Sequence, residues 1–311
     1  MTARVFIDGG AGTTGLEIVD RLSGRSDFSV LTLDEAHRKD DAARAAALNE
    51  ADFVILCLPD DAARAAVALI TNPATRVIDA STAHRTAPGW VYGFAELEPG
   101  QTDAIAAAYR VSNPGCYPTG FLALIRPLIR AGLVPHDWPI SVNAVSGYSG
   151  GGRAMISEFE GGTAATACRA YALHGAHKHV SEMRLHAKLS HPPIFMPSVA
   201  ATYRGMMIEV PLPLHLLPNH PPLAACEAAL RDAYHNSPLV LVAEGADATL
   251  IRIEENAQTD QMTLRVCGDA QAGQARLIAT LDNLGKGAAG AAVQNLNIMA
   301  GTDPLAGLIL R

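Results

Sequence analysis

Cys116 lies in the run Ser112-Asn113-Pro114-Gly115-Cys116-Tyr117-Pro118-Thr119, which is dense in turn formers. Asn113-Pro114-Gly115 is turn chemistry, and Pro118 suits the first turn of a helix. The apolar residues of Gly120-Phe121-Leu122-Ala123-Leu124-Ile125 then fall as on a buried helix face. The thiol therefore stands where a loop becomes a helix, among unpaired backbone N–H groups at the positive end of the dipole. Such a setting lowers a thiol pKa and yields a nucleophile. A second reactive group is Tyr171-Ala172-Leu173-His174-Gly175-Ala176-His177-Lys178-His179-Val180-Ser181-Glu182. With neither Cys nor Asp beside them, its histidines read less as metal ligands than as acid–base groups for near-neutral pH. Glu182 or a backbone group would fix a ring. Two arginines complete the set. Arg85 ends the polar loop Ala80-Ser81-Thr82-Ala83-His84-Arg85, and Arg153 ends Ser146-Gly147-Tyr148-Ser149-Gly150-Gly151-Gly152-Arg153. Each offers a fork to a carboxylate or phosphate, and the second loop also exposes backbone N–H groups to an anion.

These groups need a frame. Residues 4–8 read as a strand, followed by Gly9-Gly10-Ala11-Gly12-Thr13-Thr14-Gly15 and a helical pattern through Leu16, Ile18, Val19 and Leu22. The loop contains G-x-G-x-x-G at Gly10, Gly12 and Gly15, assigned in turn to the tight turn, the approach of a pyrophosphate and helix packing. Its placement at the first strand-to-helix turn predicts a dinucleotide site facing the helix N-terminus. A second strand, residues 28–33, ends at Asp34, where an acidic residue holds an NAD ribose. His37-Arg38-Lys39 follow at once and suit a 2′-phosphate, so the two signals pull in opposite directions.

Further strands are expected at 53–58, 76–79 and 140–145, with helices opening at Asp41 and at Pro59-Asp60-Asp61. Beyond residue 113 the alternation weakens. Strand signals at 193–217, 239–242 and 262–267, with a helix near 224–234, predict a mixed or antiparallel sheet backed by helices. The expected fold class is α/β: a Rossmann-type dinucleotide-binding domain, residues 1–113 with 286–311, plus an α+β substrate and dimerisation domain, residues 114–285.

Composition agrees. A chain of 311 residues is long for one core, and 49% hydrophobic content suits a globular protein. No apolar run reaches the roughly 18 residues of a membrane span. The first residues lack a signal-peptide pattern, so a cytoplasmic location is expected. A formal net charge of −7 without a basic block argues against nucleic acid. The cysteines at 57, 116, 168, 226 and 267 form no CxxC pair, so neither a cysteine zinc site nor a disulfide framework is suggested. Cys57, Cys226 and Cys267 read as core positions.

Together these motifs resemble the N-acetyl-γ-glutamyl-phosphate reductase family, short type, of arginine biosynthesis. The anchors are the 10–15 loop, Val77-Ile78-Asp79-Ala80-Ser81, Tyr92-Gly93-Phe94-Ala95-Glu96-Leu97, and Asn113-Pro114-Gly115-Cys116-Tyr117-Pro118-Thr119. The 146–153 loop, His177-Lys178-His179 and Lys286-Gly287-Ala288-Ala289-Gly290 complete them. The resemblance implies NADP as cofactor, Cys116 as nucleophile and a histidine base, His177 before His179. It implies a small-molecule substrate, reduced through a cysteine thioester, and a homo-oligomer, dimer or tetramer, with no metal, nucleic acid or membrane. Expected cofactor contacts are Gly10, Ala11, Gly12, Thr13, Thr14, Gly15, Asp34, Arg38, Ser81, Gly150 and Asn283. Expected substrate contacts are Arg85, Asn113, Arg153 and Glu182. Rival readings are a related acyl-phosphate reductase, such as aspartate-semialdehyde dehydrogenase, and a non-catalytic dinucleotide redox sensor.

Overall fold

Short apolar runs alternate with alanine-rich stretches through the first third of the chain, and each run becomes a strand of one parallel sheet. The computed structural model describes residues 2–34, 36–38, 40–245 and 248–311, so Lys39 of the basic trio lies outside the described residues. The chain begins β1 (Ala3–Asp8), α1 (Thr13–Leu22), β2 (Phe28–Leu31), α2 (Asp41–Glu50), β3 (Phe53–Leu56) and α3 (Asp60–Leu69). It continues β4 (Arg76–Asp79), β5 (Val91–Tyr92), α4 (Gln101–Ala107) and β6 (Arg110–Ser112). These strands form a sheet in the order β2-β1-β3-β4-β6-β5, with every pair parallel. Val5, Ile7, Phe53 and Ile55 pack with Ile18 and Leu22 of α1 and Ile105 of α4 on one face. Phe6, Val54 and Leu56 pack with Leu48 of α2 and Ala63 of α3 on the other. Coverage of both faces is why these strands read as continuous apolar runs. The chain leaves β1 towards β2 on one side and β3 on the other, so a crevice opens beyond the carboxyl ends of β1 and β3.

The remaining elements are α5 (Cys116–Arg130), β7 (Ser141–Gly147), α6 (Gly152–Glu160), β8 (Cys168–Ala170), α7 (His179–Ala187), β9 (Ile194–Ala200) and β10 (Met206–Pro213). Then come α8 (Leu223–Tyr234), β11 (Val240–Val242), β12 (Met262–Asp269), β13 (Gln274–Leu281) and α9 (Gly290–Ala300). The second sheet runs β11-β12-β13-β10-β7-β9-β8. The β7–β9 and β11–β12 pairs are parallel and the others antiparallel, as expected for a mixed sheet. Residues 193–217 give two strands, and β13, unannounced by the sequence pattern, takes a central place. The Ser146–Arg153 loop was expected to be irregular. Its second half instead winds into a short 3₁₀ turn and the start of α6.

Helix α5 is buried along almost its whole length, and Gly120 sets its distance from the sheet. A Cβ there would lie 2.6 Å from Ile208 Cδ1 and 3.3 Å from Ala279 Cβ. Gly120→Val should therefore destabilise the fold by about 1–3 kcal/mol, read as a lower urea midpoint at unchanged slope.

The chain divides into two compact units, Met1–Gly115 with Ala288–Leu308 and Cys116–Gly287 with Ile309–Arg311. In the first, Ala292, Val293 and Leu296 of α9 join the core on the α1 face. The Asn295 amide donates to Gly93 O at 2.9 Å and Asn113 Oδ1 at 3.0 Å, and Asn113 Nδ2 donates to Ala288 O at 2.9 Å. In the second, the chain end is tied by Asp260 N–H to Ile309 O at 2.7 Å and Ile309 N–H to Asp260 Oδ2 at 2.8 Å. Those bonds hold Ile309–Arg311 to the second unit.

Candidate active site

The first unit holds the glycine loop between β1 and α1. Gly9, outside the sequence motif, makes the tight turn: its φ is +85° and a Cβ would lie 2.3 Å from Cys57 O. Gly10, expected in that role, has no positive φ. Gly15 lets α1 pack on the loop, since a Cβ there would lie 2.6 Å from both Gly10 Cα and Gly9 O. Gly12 caps α1 without a side-chain bond, and a Cβ on it would meet only Gly9 O, at 3.3 Å. A glycine cradle below an uncapped helix start fits a pyrophosphate.

Past β2, Asp34 accepts from the His37 backbone N–H at 2.9 Å and bonds His37 Nδ1 at 2.8 Å. Those two contacts hold the Asp34 carboxyl below its ordinary range. Arg38 is exposed on the same turn.

Other expected contacts in this unit have their polar atoms engaged by the protein. Ser81 donates through N–H and Oγ to buried Asp79, at 2.9 and 2.7 Å. The same carboxylate meets His84 Nδ1 at 2.6 Å, and the His84 ring stacks on Trp90. Arg85, expected at an anion, is buried and donates to Asn113 O and Ala80 O, both at 2.9 Å. Asn113 is buried between Asp79, Ala288 and Asn295. Arg85 and Asn113 thus pin the loop that leads into Cys116.

The second unit holds a cavity of about 250 Å³. Cys116, the first residue of α5, lines it with Tyr117, Ser146, Gly150, Tyr171, His177, Lys178 and His179. The structure therefore brings together the thiol, both predicted histidines and Gly150. Arg153 is exposed on α6 and Glu182 is buried in the first turn of α7; neither lines the cavity. Asn283 is buried and clamps the 146–151 loop, donating to Ser149 Oγ at 2.8 Å and accepting from Gly205 N–H at 3.0 Å. Gly287 allows the 285–289 turn to approach the thiol, because a Cβ there would lie 3.0 Å from Cys116 Cβ.

Sequence reasoning missed the tyrosines. Tyr171 donates to Tyr117 Oη at 3.2 Å, and Tyr117 donates to Ser198 O at 3.1 Å. Burial is the largest cause raising both phenols, Tyr171 to about 12. Tyr171 stood in the histidine stretch, but no spacing rule marks a phenol that meets its partner from α5. Burial, with a smaller push from Lys178, lowers the His177 pKa from 6.5 to about 4. The unfolded chain holds the extra proton between those values, so through His177 acid weakens the fold as pH falls from above 6.5 towards 4. Cys226 is buried as expected, whereas Cys57, expected in the core, lies just past the end of β3 and is only partly covered. Desolvation pushes Cys57 up to about 12 and Cys226 up to about 11, which keeps both thiols protonated. Cys267, expected in the core, is only partly covered because β12 nears its end there.

Two family models match the chain: the semialdehyde dehydrogenase NAD-binding domain over residues 4–105 and the semialdehyde dehydrogenase dimerisation domain over residues 116–283. An N-acetyl-gamma-glutamyl-phosphate reductase of Burkholderia orbicola is 53% identical, over 96% of this chain and 97% of that protein. N-acetyl-gamma-glutamyl-phosphate reductase 2 of Pseudomonas putida is 52% identical over 96% of this chain and 97% of that protein. Among solved structures, aspartate semialdehyde dehydrogenase II of Vibrio cholerae, complexed with ASA, shares the fold at TM-score 0.74 and 16% identity, covering 97% of this chain and 99% of that one.

Proposed function

This chain belongs to the N-acetyl-γ-glutamyl-phosphate reductase family, and on that premise we propose how its own residues carry out the reduction. The reaction takes N-acetyl-γ-glutamyl phosphate to N-acetylglutamate 5-semialdehyde. The observation that carries the proposal is the cavity that joins the first residue of α5 to His177 and His179.

Cys116 is the nucleophile. The helix start favours its thiolate, which attacks the acyl carbon. The C–O bond to phosphate breaks, phosphate leaves with that electron pair and takes its proton from solvent, and a thioester remains on Cys116. NADPH, when bound, would supply the hydride that reduces the thioester carbon. His177 first, and His179 second, is assigned to proton transfer at sulfur and oxygen, since both line the cavity of Cys116. Arg153, exposed at the start of α6, is the cation for an anionic group of the substrate. Glu182 stabilises the start of α7 as an acidic residue in its first turn. Ser81, Arg85, Asn113 and Asn283 act as positioning residues, since main-chain and side-chain partners occupy them.

Gly10, Ala11, Gly12, Thr13, Thr14 and Gly15 would hold the cofactor's pyrophosphate at the start of α1. We assign NADP rather than NAD. Asp34 is turned to His37 by two hydrogen bonds, and Arg38 on the same turn offers a cation to the 2′-phosphate. Arg38→Ala should raise KM for NADPH about tenfold and leave KM for NADH unchanged; equal effects on both would remove Arg38 from cofactor choice. In the same proposal residues 1–113 with 286–311 serve the dinucleotide and residues 114–285 the substrate. The chain works as a homo-oligomer in the cytoplasm, in keeping with a dimerisation-domain match and five free thiols.

Rapid mixing of enzyme with acyl phosphate in the absence of cofactor tests the reading. A phosphate burst stoichiometric with enzyme is expected. Phosphate release only after NADPH is added would contradict it.

A further inference from the structure

Two phenols line the same cavity as Cys116, and their hydrogen bonds run in one direction. Tyr117 follows the thiol in α5. Tyr171 follows β8, and its backbone N–H donates to Pro197 O at 3.1 Å, continuing the ladder with β9. The last group in the run is the Ser198 carbonyl, which can only accept, so Tyr117 gives its proton there at 3.1 Å. The Tyr117 oxygen is then the acceptor for Tyr171, at 3.2 Å. A phenol has a single proton, and that of Tyr171 is committed. Among the described residues no group donates to Tyr171 Oη, so what it offers the cavity is a lone pair. Burial raises both phenols, Tyr171 to about 12, so neither ionises near neutral pH and the direction of the run is fixed.

We infer that Tyr171 reads the N-acyl group of the substrate by accepting the hydrogen bond of its amide N–H. The inference rests on the substrate assigned above. Near neutral pH, N-acetyl-γ-glutamyl phosphate presents acceptors almost everywhere: the acyl carbonyl, the phosphate, the carboxylate and the acetyl carbonyl. Its one donor is the amide N–H. Lys178, on the same lining, can only donate and suits the acceptors. Tyr171 is the complementary group for the donor. A free α-ammonium also donates, but Lys178 repels it, and no carboxylate among the described residues lines the cavity to receive it. Acylation removes that charge and leaves a neutral donor, which is what a committed phenol can take. The same arrangement rejects an oxygen at that place. Two lone pairs would face each other, and the phenol cannot turn its proton to the ligand without abandoning Tyr117.

The test uses two acyl phosphates that differ in one group: the natural substrate and its 2-acetoxy analogue, in which an ester oxygen replaces the amide N–H. Wild-type kcat/KM is expected to favour the amide by at least about thirtyfold. Tyr171→Phe should lower kcat/KM for the amide by about that factor and leave the ester within about threefold of its wild-type value, so that the discrimination disappears. Tyr117→Phe keeps the Tyr171 hydroxyl but releases its proton to the cavity. In that variant the ester should gain on the amide relative to wild type, which loss of packing alone does not produce. A wild-type enzyme that uses both substrates equally, discrimination that survives Tyr171→Phe, or a Tyr117→Phe enzyme that slows equally on both overturns the inference. The cofactor-free phosphate burst reports separately on the thioester. Its absence from the wild-type enzyme removes that reading, while the kcat/KM ratios still decide the role of Tyr171.

Discussion

Cys116→Ser is expected to lower kcat by at least about four orders of magnitude while leaving NADPH affinity unchanged. The alkoxide of serine is inaccessible near neutral pH, whereas a thiolate at a helix start is not. Serine matches cysteine closely in volume, and Cys116 is partly exposed at the head of α5, so the fold should be undisturbed. The cofactor loop lies in the other compact unit. Titration with NADPH and steady-state kinetics on the same preparation separate the two effects. Retention of even a hundredth of the wild-type rate, on the order of a 3 kcal/mol loss only, would exclude covalent catalysis by this residue.

The second large effect concerns the glycine loop. Gly12→Ala should fold with its Tm lowered only slightly, because its φ of −76° suits alanine while the new Cβ stands tight against Gly9 O at 3.3 Å. That Cβ would nevertheless point into the space over the start of α1 that a pyrophosphate needs. We expect the Kd for NADPH to rise at least about tenfold, with the cofactor-free phosphate burst intact. Gly9→Ala should behave differently. Its φ of +85° and the 2.3 Å approach to Cys57 O force the loop itself to move, so stability and cofactor affinity fall together. If Gly12→Ala binds NADPH as wild type does, the cofactor does not lie on this loop.

Much of this design is legible in the sequence, and the losses have physical causes. The parallel sheet was readable because strands covered on both faces become unbroken apolar runs, as in Phe53-Val54-Ile55-Leu56. The place of Cys116 at the start of α5 was readable because a loop-to-helix junction demands turn formers and a proline at fixed offsets. Strand β13 was not readable, because Gln274-Ala275-Arg276-Leu277-Ile278-Ala279 alternates only weakly and follows a turn at Gly273. Its place is decided by partners β10 and β12, far away in sequence. Arg85, Asn113 and Asn283 were legible as polar residues next to ligand loops, but residue type alone does not say which way an amide or guanidinium points. In the structure they face main-chain carbonyls, amides and neighbouring side chains. Gly9 was passed over because the motif is satisfied without it, and only the close approach of Cys57 O makes it obligatory. The contact from the His179 backbone N–H to His177 Nδ1 was not readable, because it appears only when α7 is built.

Mass spectrometry of the enzyme mixed with N-acetyl-γ-glutamyl phosphate, quenched in acid without NADPH, tests the central claim most directly. The expected result is a stoichiometric acyl adduct on the peptide bearing Cys116, absent from Cys116→Ser and discharged as aldehyde when NADPH is added before the quench. An unmodified Cys116 peptide from an enzyme that turns over normally would contradict it.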